Sequence, residues 1–355
     1  MSTPFSSPAT SPDVTRQIDA LLDEVGVVEN RRLLREILAS AVGIATDHAD
    51  TLDLKIMSAA LAEMRAAFKM FAPYRAAPKV TIFGSARTAP DDPLYIQARA
   101  VASALAAQGR MVVTGAGPGI MSAAAEGAGR EHSFGVNIRL PFEQEPNAIL
   151  AGDDKLISMK YFFTRKLMLM KESKAFISLP GGFGTMDETF ELLTLVQTGK
   201  SVPVPIVFLE MPGDCYWDRA VGFMRDELVG RRLIEAADLD LFFVTEDVDA
   251  VVGEIDRFYR NYDSLRFVGD MLVVRIKVEP TVAQLADLNT RFGHLAVSGA
   301  IEPTTPLRDE QADNDRLELA RLKFRFVKRR YGELRQMIDA INDWVPATSS
   351  SSPSS

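Results

Sequence analysis

Apolar positions recur at intervals of three and four residues between about Val14 and Phe71, in three successive segments: IDALLDEVG, NRRLLREILASAVGIA and LDLKIMSAALAEMRAAFKMF. This spacing places the apolar side chains on one face of a helix. We therefore expect a helical N-terminal extension over 13–77. The segments 1–12 and 347–355 are rich in Ser, Pro and Thr, and both are expected to be disordered tails.

From Lys79 the pattern changes to short β-rich runs that alternate with segments of helical period. The runs KVTIF, MVV, FGVNIRL, AFISL, VPVPIVFLE and LFFVTED are predicted strands. KLISMKYFFTRKLMLMKES is interpreted as leading through a helix, and EDVDAVVGEIDRFYRNY is the predicted closing helix. Strands that alternate with helices predict a parallel sheet covered by helices on both faces. The sequence therefore predicts an α/β domain with a doubly wound parallel sheet over 78–263.

The pattern of apolar and polar residues changes again after this domain. The new pattern predicts a C-terminal α+β extension over 264–346. DMLVVRIKV has the character of a strand, VAQLADLNTRF that of a helix, and LELARLKFRFVKRRYGELRQMIDAIND that of a strand-like alternation followed by a helix. The basic cluster Lys328, Arg329 and Arg330 could contact phosphate. A solvated face is the favoured interpretation, because acidic residues such as Glu333 share the segment.

Composition excludes several classes of protein. The 355 residues carry a formal net charge of −8, which argues against broad binding to nucleic acid. The single cysteine, Cys215, allows no disulfide within the chain and fits a reducing cytoplasm. No apolar run is long enough for a membrane span, and MSTPFSSPATSPDV lacks the pattern of a signal peptide. A cytoplasmic protein without nucleic-acid or membrane partners is expected.

Metal binding is not expected. The three histidines, His48, His132 and His294, are not spaced with one another or with Cys215 as metal ligands usually are. None lies in a motif that suggests a Ser-His-Asp triad.

Two predicted strand ends carry small residues, and ligands of open parallel sheets bind outside the carboxyl ends of the strands. The first, FGSAR, offers the backbone of Gly84 and the hydroxyl of Ser85, although an ordinary turn would look the same. The second, TGAGPGIM, opens a helix with the spacing G-x-G-x-G, and the next strand ends without an acid. Both features argue against dinucleotide binding. Its candidate anion-binding residues are Gly115, Gly117, Gly119 and Met121.

A third strand end, SLPGGFGTMDETFELL, joins a glycine loop to the start of a helix. Glycines allow close backbone approach to an oxyanion, and a helix N-terminus attracts negative charge. Glu188 falls in the first helical turn, where the helix dipole stabilises an acid by about 0.3–1 kcal/mol, so a purely structural role stays open. The candidate anion-binding residues here are Pro180, Gly181, Gly182, Gly184 and Thr185.

One helix earlier, TRKLMLM places Arg165 next to Lys166. Adjacent helical residues point about 100° apart, so one of the two could face the ligand edge of the sheet while the other meets solvent. Arginine pairs well with phosphate or with a carboxylate. An ordinary surface pair is the alternative.

The combination of an RK pair with PGGFGTMDE, whose proline follows Arg165 by fifteen residues, resembles the LOG family of phosphoribohydrolases, once labelled "possible lysine decarboxylases". It also resembles the bacterial nucleotide 5′-monophosphate nucleosidases built on the same core. The resemblance covers roughly Val80 to Tyr262. TGAGPGIM departs from the family's GGGxxGLMG, Lys174 stands where the short members often have Asp, and those members lack both extensions. These departures suggest the long bacterial type.

The resemblance implies a Rossmann-like fold that hydrolyses the N-glycosidic bond of a nucleoside 5′-monophosphate, with AMP-like purine nucleotides favoured. It implies that Arg165 and Glu188 are the catalytic pair, with the carboxylate near C1′ kept ionised by the arginine. The glycine loop, with Gly84, Ser85 and Lys166 nearby, would bind the substrate and its phosphate. No metal or organic cofactor is implied, and a homodimer or higher homo-oligomer is expected.

Three alternatives stay open at this point. A cytokinin riboside 5′-monophosphate phosphoribohydrolase differs only in the base pocket. A non-catalytic nucleotide-sensing module would have little use for the intact Arg165 and Glu188. Pyridoxal-phosphate-dependent lysine decarboxylation has no support, because no lysine lies in a recognisable cofactor motif.

Overall fold

The computed structural model of the chain describes residues 12–139 and 145–346. The two predicted tails lie outside the described residues, except that Pro12 already begins the first helix. The chain divides into two compact units after Arg65.

The first unit is helical, as the periodicity predicts. It contains α1 (Pro12–Glu24), α2 (Arg31–Thr46) and the start of α3 (Thr51–Phe71), which continues into the second unit. Ile18 and Leu22 of α1 pack with Ala39 of α2 in a small apolar core. The bounds 13–77 that the sequence predicts for the helical extension stay a prediction.

A seven-stranded parallel sheet forms the centre of the second unit, and its strand order is β4-β3-β2-β1-β5-β6-β7. The strands are β1 (Lys79–Phe83), β2 (Met111–Thr114), β3 (Ser133–Ile138), β4 (Leu156–Met159), β5 (Ala175–Ser178), β6 (Ile206–Leu209) and β7 (Phe243–Thr245). The intervening helices are α4 (Pro93–Ala107), α5 (Ile120–Ala128), α6 (Phe162–Lys171), α7 (Phe183–Gln197), α8 (Tyr216–Phe223) and α9 (Val248–Phe258). The prediction of an α/β doubly wound sheet is confirmed.

The chain winds outward from the middle of this sheet in both directions. The strands β2, β3 and β4 lie on one side of β1, and β5, β6 and β7 lie on the other. The central strands are mostly apolar and are buried throughout, as expected when helices cover both faces of a parallel sheet. The strand order reverses between β1 and β5, and at such a point the loops that leave two neighbouring strands diverge and open a crevice.

The edge strand β4 was not predicted, because KLISM was interpreted as the approach to a helix. The strand is only four residues long and three of them are partly exposed, so the apolar signal that marked the other strands is weak here. Its pairing with β3, from Gly135↔Leu156 to Ile138↔Met159, supplies the stabilisation that local sequence does not.

A second sheet, antiparallel, follows with the strand order β10-β11-β9-β8. Its strands are β8 (Tyr262–Val268), β9 (Met271–Ile276), β10 (Glu302–Pro303) and β11 (Ala320–Phe324), and its helices are α10 (Val282–Phe292), α11 (Arg308–Ala312) and α12 (Tyr331–Asn342). The α+β character of the C-terminal region agrees with the pattern; its exact bounds stay a prediction. All three residues of the basic cluster Lys328, Arg329 and Arg330 are exposed.

The helix predicted over EDVDAVVGEIDRFYRNY is too long, because α9 ends at Phe258 and Tyr262 begins β8. The buried side chain of Asn342 explains the end. Its amide oxygen accepts hydrogen bonds from the backbone N–H groups of Asn261 (2.9 Å) and Tyr262 (2.8 Å). These tertiary bonds satisfy groups that a longer helix would have bonded internally.

Candidate active site

A cleft of about 770 Å³ opens where the loops after β1 and β5 diverge. This volume lies within the range of roughly 300–1,000 Å³ that is typical of small-molecule sites. Nine of the sequence-predicted site residues line it: Gly84, Ser85, Met121, Arg165, Gly181, Gly182, Gly184, Thr185 and Glu188. The other five, Gly115, Gly117, Gly119, Lys166 and Pro180, are not among its lining residues.

Arg165 on α6 and Glu188 on α7 form an ion pair in the lining of the cleft. Arg165 Nη1 donates to Glu188 Oε1 at 2.9 Å, and the two side chains are only 10% and 12% exposed. Arg165 Nε donates to the carbonyl of Val136 in β3 at 2.9 Å, so the guanidinium is fixed from two directions. A guanidinium carries five N–H donors, so further donors remain for a ligand.

Hydrogen bonds at buried hydroxyls fix the two helices against the sheet. Thr81 of β1 donates to the carbonyl of Leu169 on α6 at 2.9 Å. Ser178 at the end of β5 shares a hydrogen bond of 2.9 Å with Thr189 on α7, one residue beyond Glu188. The ion pair is therefore held by elements whose positions are set by the sheet.

Burial raises the pKa of the Glu188 carboxyl, and the charge and hydrogen bond of Arg165 oppose that rise without cancelling it. Asp187 raises the pKa further, whereas Lys166 lowers it. The expectation that Arg165 holds Glu188 ionised is therefore correct in direction but incomplete, because desolvation of the carboxylate is the larger effect. A carboxyl group with a raised pKa in a cleft is typical of a proton-transfer or charge-stabilising site.

The loop after β5 leads directly into the N-terminus of α7. The N–H groups of Phe183, Gly184 and Thr185 belong to the first helical turn and have no acceptor within the helix. A Cβ atom placed on Gly182 or Gly184 would meet nothing within 4 Å, so both glycines border open space. This end of the cleft can accept an anion.

Ser85 ties the loop after β1 to both neighbouring loops. Its N–H donates to the carbonyl of Pro180 at 3.3 Å, and its carbonyl accepts from the N–H of Ile120 at 3.0 Å. Gly119 has a φ of +65°, and a Cβ atom there would lie 2.3 Å from the Ser85 carbonyl oxygen. Pro180 and Gly119 thus shape the cleft by joining loops, and contact with a ligand through either of them stays a prediction.

Gly115 lies behind the catalytic-pair candidate Arg165 rather than on the cleft surface. A Cβ atom on Gly115 would lie 2.2 Å from Arg165 Nη2 and 2.8 Å from the sulfur of Met121. Gly117 is also buried, and its carbonyl accepts from the Asn147 amide at 3.4 Å. The placement gives Gly115 a packing role; phosphate binding by Gly115 and Gly117 stays a prediction.

Lys166 is not part of the cleft lining and forms ion pairs with two acidic residues of α7. Its Nζ lies 2.8 Å from Asp187 and 2.8 Å from Glu191. The two residues of the RK pair therefore face in different directions, as their helical spacing indicates. This geometry lends no support to the predicted role of Lys166 in substrate binding.

Six lining residues were not predicted: Ala86, Arg87, Ile138, Phe162, Phe183 and Met186. Arg87 is exposed and ends the FGSAR motif. Because it follows the candidate residue Ser85 by only two residues, its position in the sequence indicates that it could also lie at the ligand edge of the sheet. Phe162 precedes Arg165 by three residues on α6, a spacing that places both on one helix face. The apolar side chains had no signal in the sequence that separates them from core residues.

Neither a metal site nor a membrane-spanning helix occurs among the residues that the structure describes. In 12–139 and 145–346, no three His, Cys, Asp or Glu side chains are grouped to hold a metal ion. Within the same ranges, none of the helices combines the length and apolar character needed to cross a membrane.

Comparison with known proteins bears on the same region. Residues 119–255 match the family model described as "Possible lysine decarboxylase". The chain is 35% identical over 106 residues to the probable cytokinin riboside 5′-monophosphate phosphoribohydrolase LOG6 of Arabidopsis thaliana, covering 30% of this chain and 50% of that protein. It is 27% identical over 150 residues to the probable cytokinin riboside 5′-monophosphate phosphoribohydrolase LOGL9 of Oryza sativa subsp. japonica, covering 42% of this chain and 63% of that protein.

The chain thus spans between half and two thirds of the length of these two curated relatives. Among solved structures, the molybdenum cofactor carrier protein of Chlamydomonas reinhardtii aligns with 51% of this chain and 97% of its own, at 19% identity and a TM-score of 0.35. The family match lies on the domain that holds the cleft, and it includes both Arg165 and Glu188. Over residues 119–255, the α/β domain of this chain is therefore similar to the family whose model carries the description "Possible lysine decarboxylase".

Proposed function

We propose that the chain hydrolyses the N-glycosidic bond of nucleoside 5′-monophosphates, most readily AMP-like purine nucleotides, to a free base and ribose 5-phosphate. One observation carries the proposal: a single cleft joins an anion-accepting helix N-terminus to the buried pair Arg165–Glu188. The names of the curated relatives, which are phosphoribohydrolases, support the same reaction class.

The 5′-phosphate would bind at the glycine loop. The free N–H groups of the first turn of α7 supply donors and the positive end of the helix dipole. Thr185 adds a hydroxyl, and Arg87 adds a positive charge to the same cleft lining. A phosphate fixed here would hold the ribose in one orientation relative to Glu188, which lowers the entropic cost of reaction.

Positive charge develops on the ribose as the C1′–N bond breaks. Glu188 is the only carboxylate among the described residues that line the cleft, so it is the group available to stabilise that charge or to take a proton from the attacking water. Water supplies a hydroxyl group to C1′ and a proton to the departing base nitrogen, which balances the reaction. Arg165 would hold the carboxylate in place through their shared hydrogen bond.

The base would contact the apolar part of the lining, which includes Ile138, Phe162 and Met186. Such a surface accommodates purine rings by stacking and dispersion, and it would also tolerate an apolar substituent on the base. Cytokinin riboside 5′-monophosphates are therefore a second candidate substrate class, and the names of the relatives favour them.

Lysine decarboxylation is not supported, despite the description of the family model. Pyridoxal phosphate enzymes hold their cofactor through a lysine, and none of the described cleft-lining residues is a lysine. A nucleotide sensor without catalysis would bind AMP but release no base. A site that only bound an anionic nucleotide would gain nothing from the negative charge of Glu188 in the same cleft, whereas a hydrolase uses it to stabilise the positive charge that develops on the ribose, which favours the enzyme over the sensor.

A product assay tests the proposal. Purified protein is incubated with AMP, GMP, CMP, UMP and N6-isopentenyladenosine 5′-monophosphate, and free base and ribose 5-phosphate are quantified by chromatography. Equimolar release of both products from at least one nucleotide is expected, with purines preferred. If calorimetry detects nucleotide binding but no base is released, the proposed enzyme is contradicted and the nucleotide sensor is supported.

We further propose that the protein acts in the cytoplasm as a homodimer or higher homo-oligomer. Phe162, Phe163 and Leu167 are each about half exposed on α6, next to the cleft, and such apolar exposure supports burial against a second copy. Light scattering coupled to size exclusion tests this assembly, and a monomer at micromolar concentration would contradict it.

A further inference from the structure

The carbonyl groups of three successive residues in the glycine loop are each held by a donor of the protein. The Pro180 carbonyl accepts from the Ser85 N–H at 3.3 Å, and the Gly182 carbonyl accepts from the Met186 N–H at 3.1 Å. The Gly181 carbonyl accepts from the phenolic hydroxyl of Tyr216 at 2.7 Å. The first two donors are backbone groups, so Tyr216 supplies the only one of the three that a substitution can remove.

A peptide unit is planar, and its C=O and N–H groups point in opposite directions. Holding the carbonyls of 180, 181 and 182 on the protein side therefore turns the N–H groups of Gly181, Gly182 and Phe183 the other way. All three of these residues line the cleft. Without the Tyr216 bond, the peptide between Gly181 and Gly182 would be free to rotate, because glycine tolerates many backbone conformations.

Tyr216 is itself rigidly placed. It is the first residue of α8, and its neighbour Trp217 is fully buried and stacked on Phe208 with ring centroids 4.2 Å apart. The backbone N–H of Trp217 donates to the carboxylate of Glu210 at 2.6 Å, and Glu210 is only 4% exposed. The helix start is thus anchored to the end of β6, and the phenol reaches from there to the loop.

We propose that Tyr216 is a positioning residue that orients the glycine loop for the phosphate of the substrate. This inference rests on the proposed function, because the loop is assigned to the 5′-phosphate there. The hydroxyl does not touch the reacting atoms. It acts through the Gly181–Gly182 peptide, and its removal weakens recognition of the phosphate while leaving recognition of the base intact.

The experiment compares the wild type with Tyr216→Phe, which removes one hydroxyl and keeps the ring. Tyr259→Phe is the matched control, because Tyr259 also donates to a backbone carbonyl, that of Lys174, at 2.6 Å. Lys174 precedes β5, so this bond lies at the opposite end of the strand from the cleft. Steady-state kinetics with AMP and calorimetric binding of ribose 5-phosphate and of adenine are measured for all three proteins.

Tyr216→Phe should raise KM for the nucleotide by about 3- to 10-fold, the effect of one ordinary hydrogen bond, with kcat changed less. Ribose 5-phosphate should bind more weakly by a similar factor, whereas adenine binding should stay the same. Tyr259→Phe should change neither. Equal weakening of both ligands, or no change in either, would overturn the role of Tyr216. If the wild type releases no base, the proposed reaction fails, but the ribose 5-phosphate arm still decides whether Tyr216 orients a phosphate site.

Discussion

Arg165 Nη1 and Glu188 Oε1 lie 2.9 Å apart, on two helices that are separated in sequence by β5 and the glycine loop. Both side chains are nearly buried, so the cost of removing each charge from water is offset by the other. The cleft lining includes both members of this pair and the residues of the first turn of α7. The anion-accepting end and the carboxylate are therefore parts of one site.

Glu188→Gln is expected to lower kcat for base release by at least about 100-fold, because a positioned acid or base contributes on that order or more. The amide keeps the shape of the side chain and can still accept from Arg165, so nucleotide binding should remain measurable by calorimetry.

Asp187→Asn is the matched control for Glu188→Gln. Asp187 is the preceding residue, but its carboxylate is exposed and pairs with Lys166 at 2.8 Å. The control should keep most of its activity at neutral pH. Near-normal turnover by Glu188→Gln would contradict the catalytic role of that carboxylate.

The two members of the RK pair should differ sharply when each is replaced by alanine. Arg165→Ala leaves Glu188 buried without its partner, a change that typically costs about 3–5 kcal/mol, so both activity and the free energy of unfolding should fall. Lys166→Ala removes ion pairs with Asp187 and Glu191 that lie outside the cleft lining. Its kcat/KM should stay within about threefold of the wild type, since such peripheral pairs contribute little.

Kinetics with AMP and urea unfolding at pH 7 measure both effects. Arg165→Lys separates lost activity from lost stability, because lysine restores the charge but cannot bond Val136 and Glu188 with a planar fork. A large loss of kcat/KM in Lys166→Ala with normal stability would contradict this expectation and support a role of Lys166 in substrate binding.

The sequence predicted the doubly wound sheet because short β-rich runs alternate with segments of helical period. It indicated the glycine loop because three glycines follow a predicted strand and precede a helical pattern. It placed Arg165 and Glu188 together only through the resemblance to the LOG family. Which side of α6 faces the cleft depends on how that helix packs against β3, as the bond from Arg165 to Val136 shows. The roles of Gly115 and Tyr216 depend on contacts between loops that are distant in sequence, so no local pattern could have indicated them.

Gly115→Ala should reduce activity although Gly115 does not line the cleft. The added methyl group would lie 2.2 Å from Arg165 Nη2, so we expect the guanidinium to shift and its bond to Glu188 to weaken. A displacement of this kind typically costs on the order of 100-fold in rate when it disturbs a catalytic group.

Gly253→Ala is the control for Gly115→Ala. Gly253 lies within α9, and a Cβ atom there would meet nothing within 4 Å. This control should keep full activity and gain about 0.5–1 kcal/mol in the free energy of unfolding, because alanine is the better helix former. If Gly115→Ala is as active as Gly253→Ala, the guanidinium position tolerates the methyl group and Gly115 does not position Arg165.

The acid limb of the kcat/KM profile should report the raised pKa of Glu188. Burial raises this pKa above the ordinary value of 4.5, so if the ionised form is the active one, activity should fall with decreasing pH already above 4.5. Asp187 contributes to the rise because its negative charge opposes ionisation of its neighbour. Asp187→Asn should therefore move the acid limb to lower pH while leaving the plateau rate nearly unchanged. The profiles are measured with AMP between pH 4 and 9 at constant ionic strength. A limb that does not move, or that moves to higher pH, would show that a group other than Glu188 governs the acid side of the reaction.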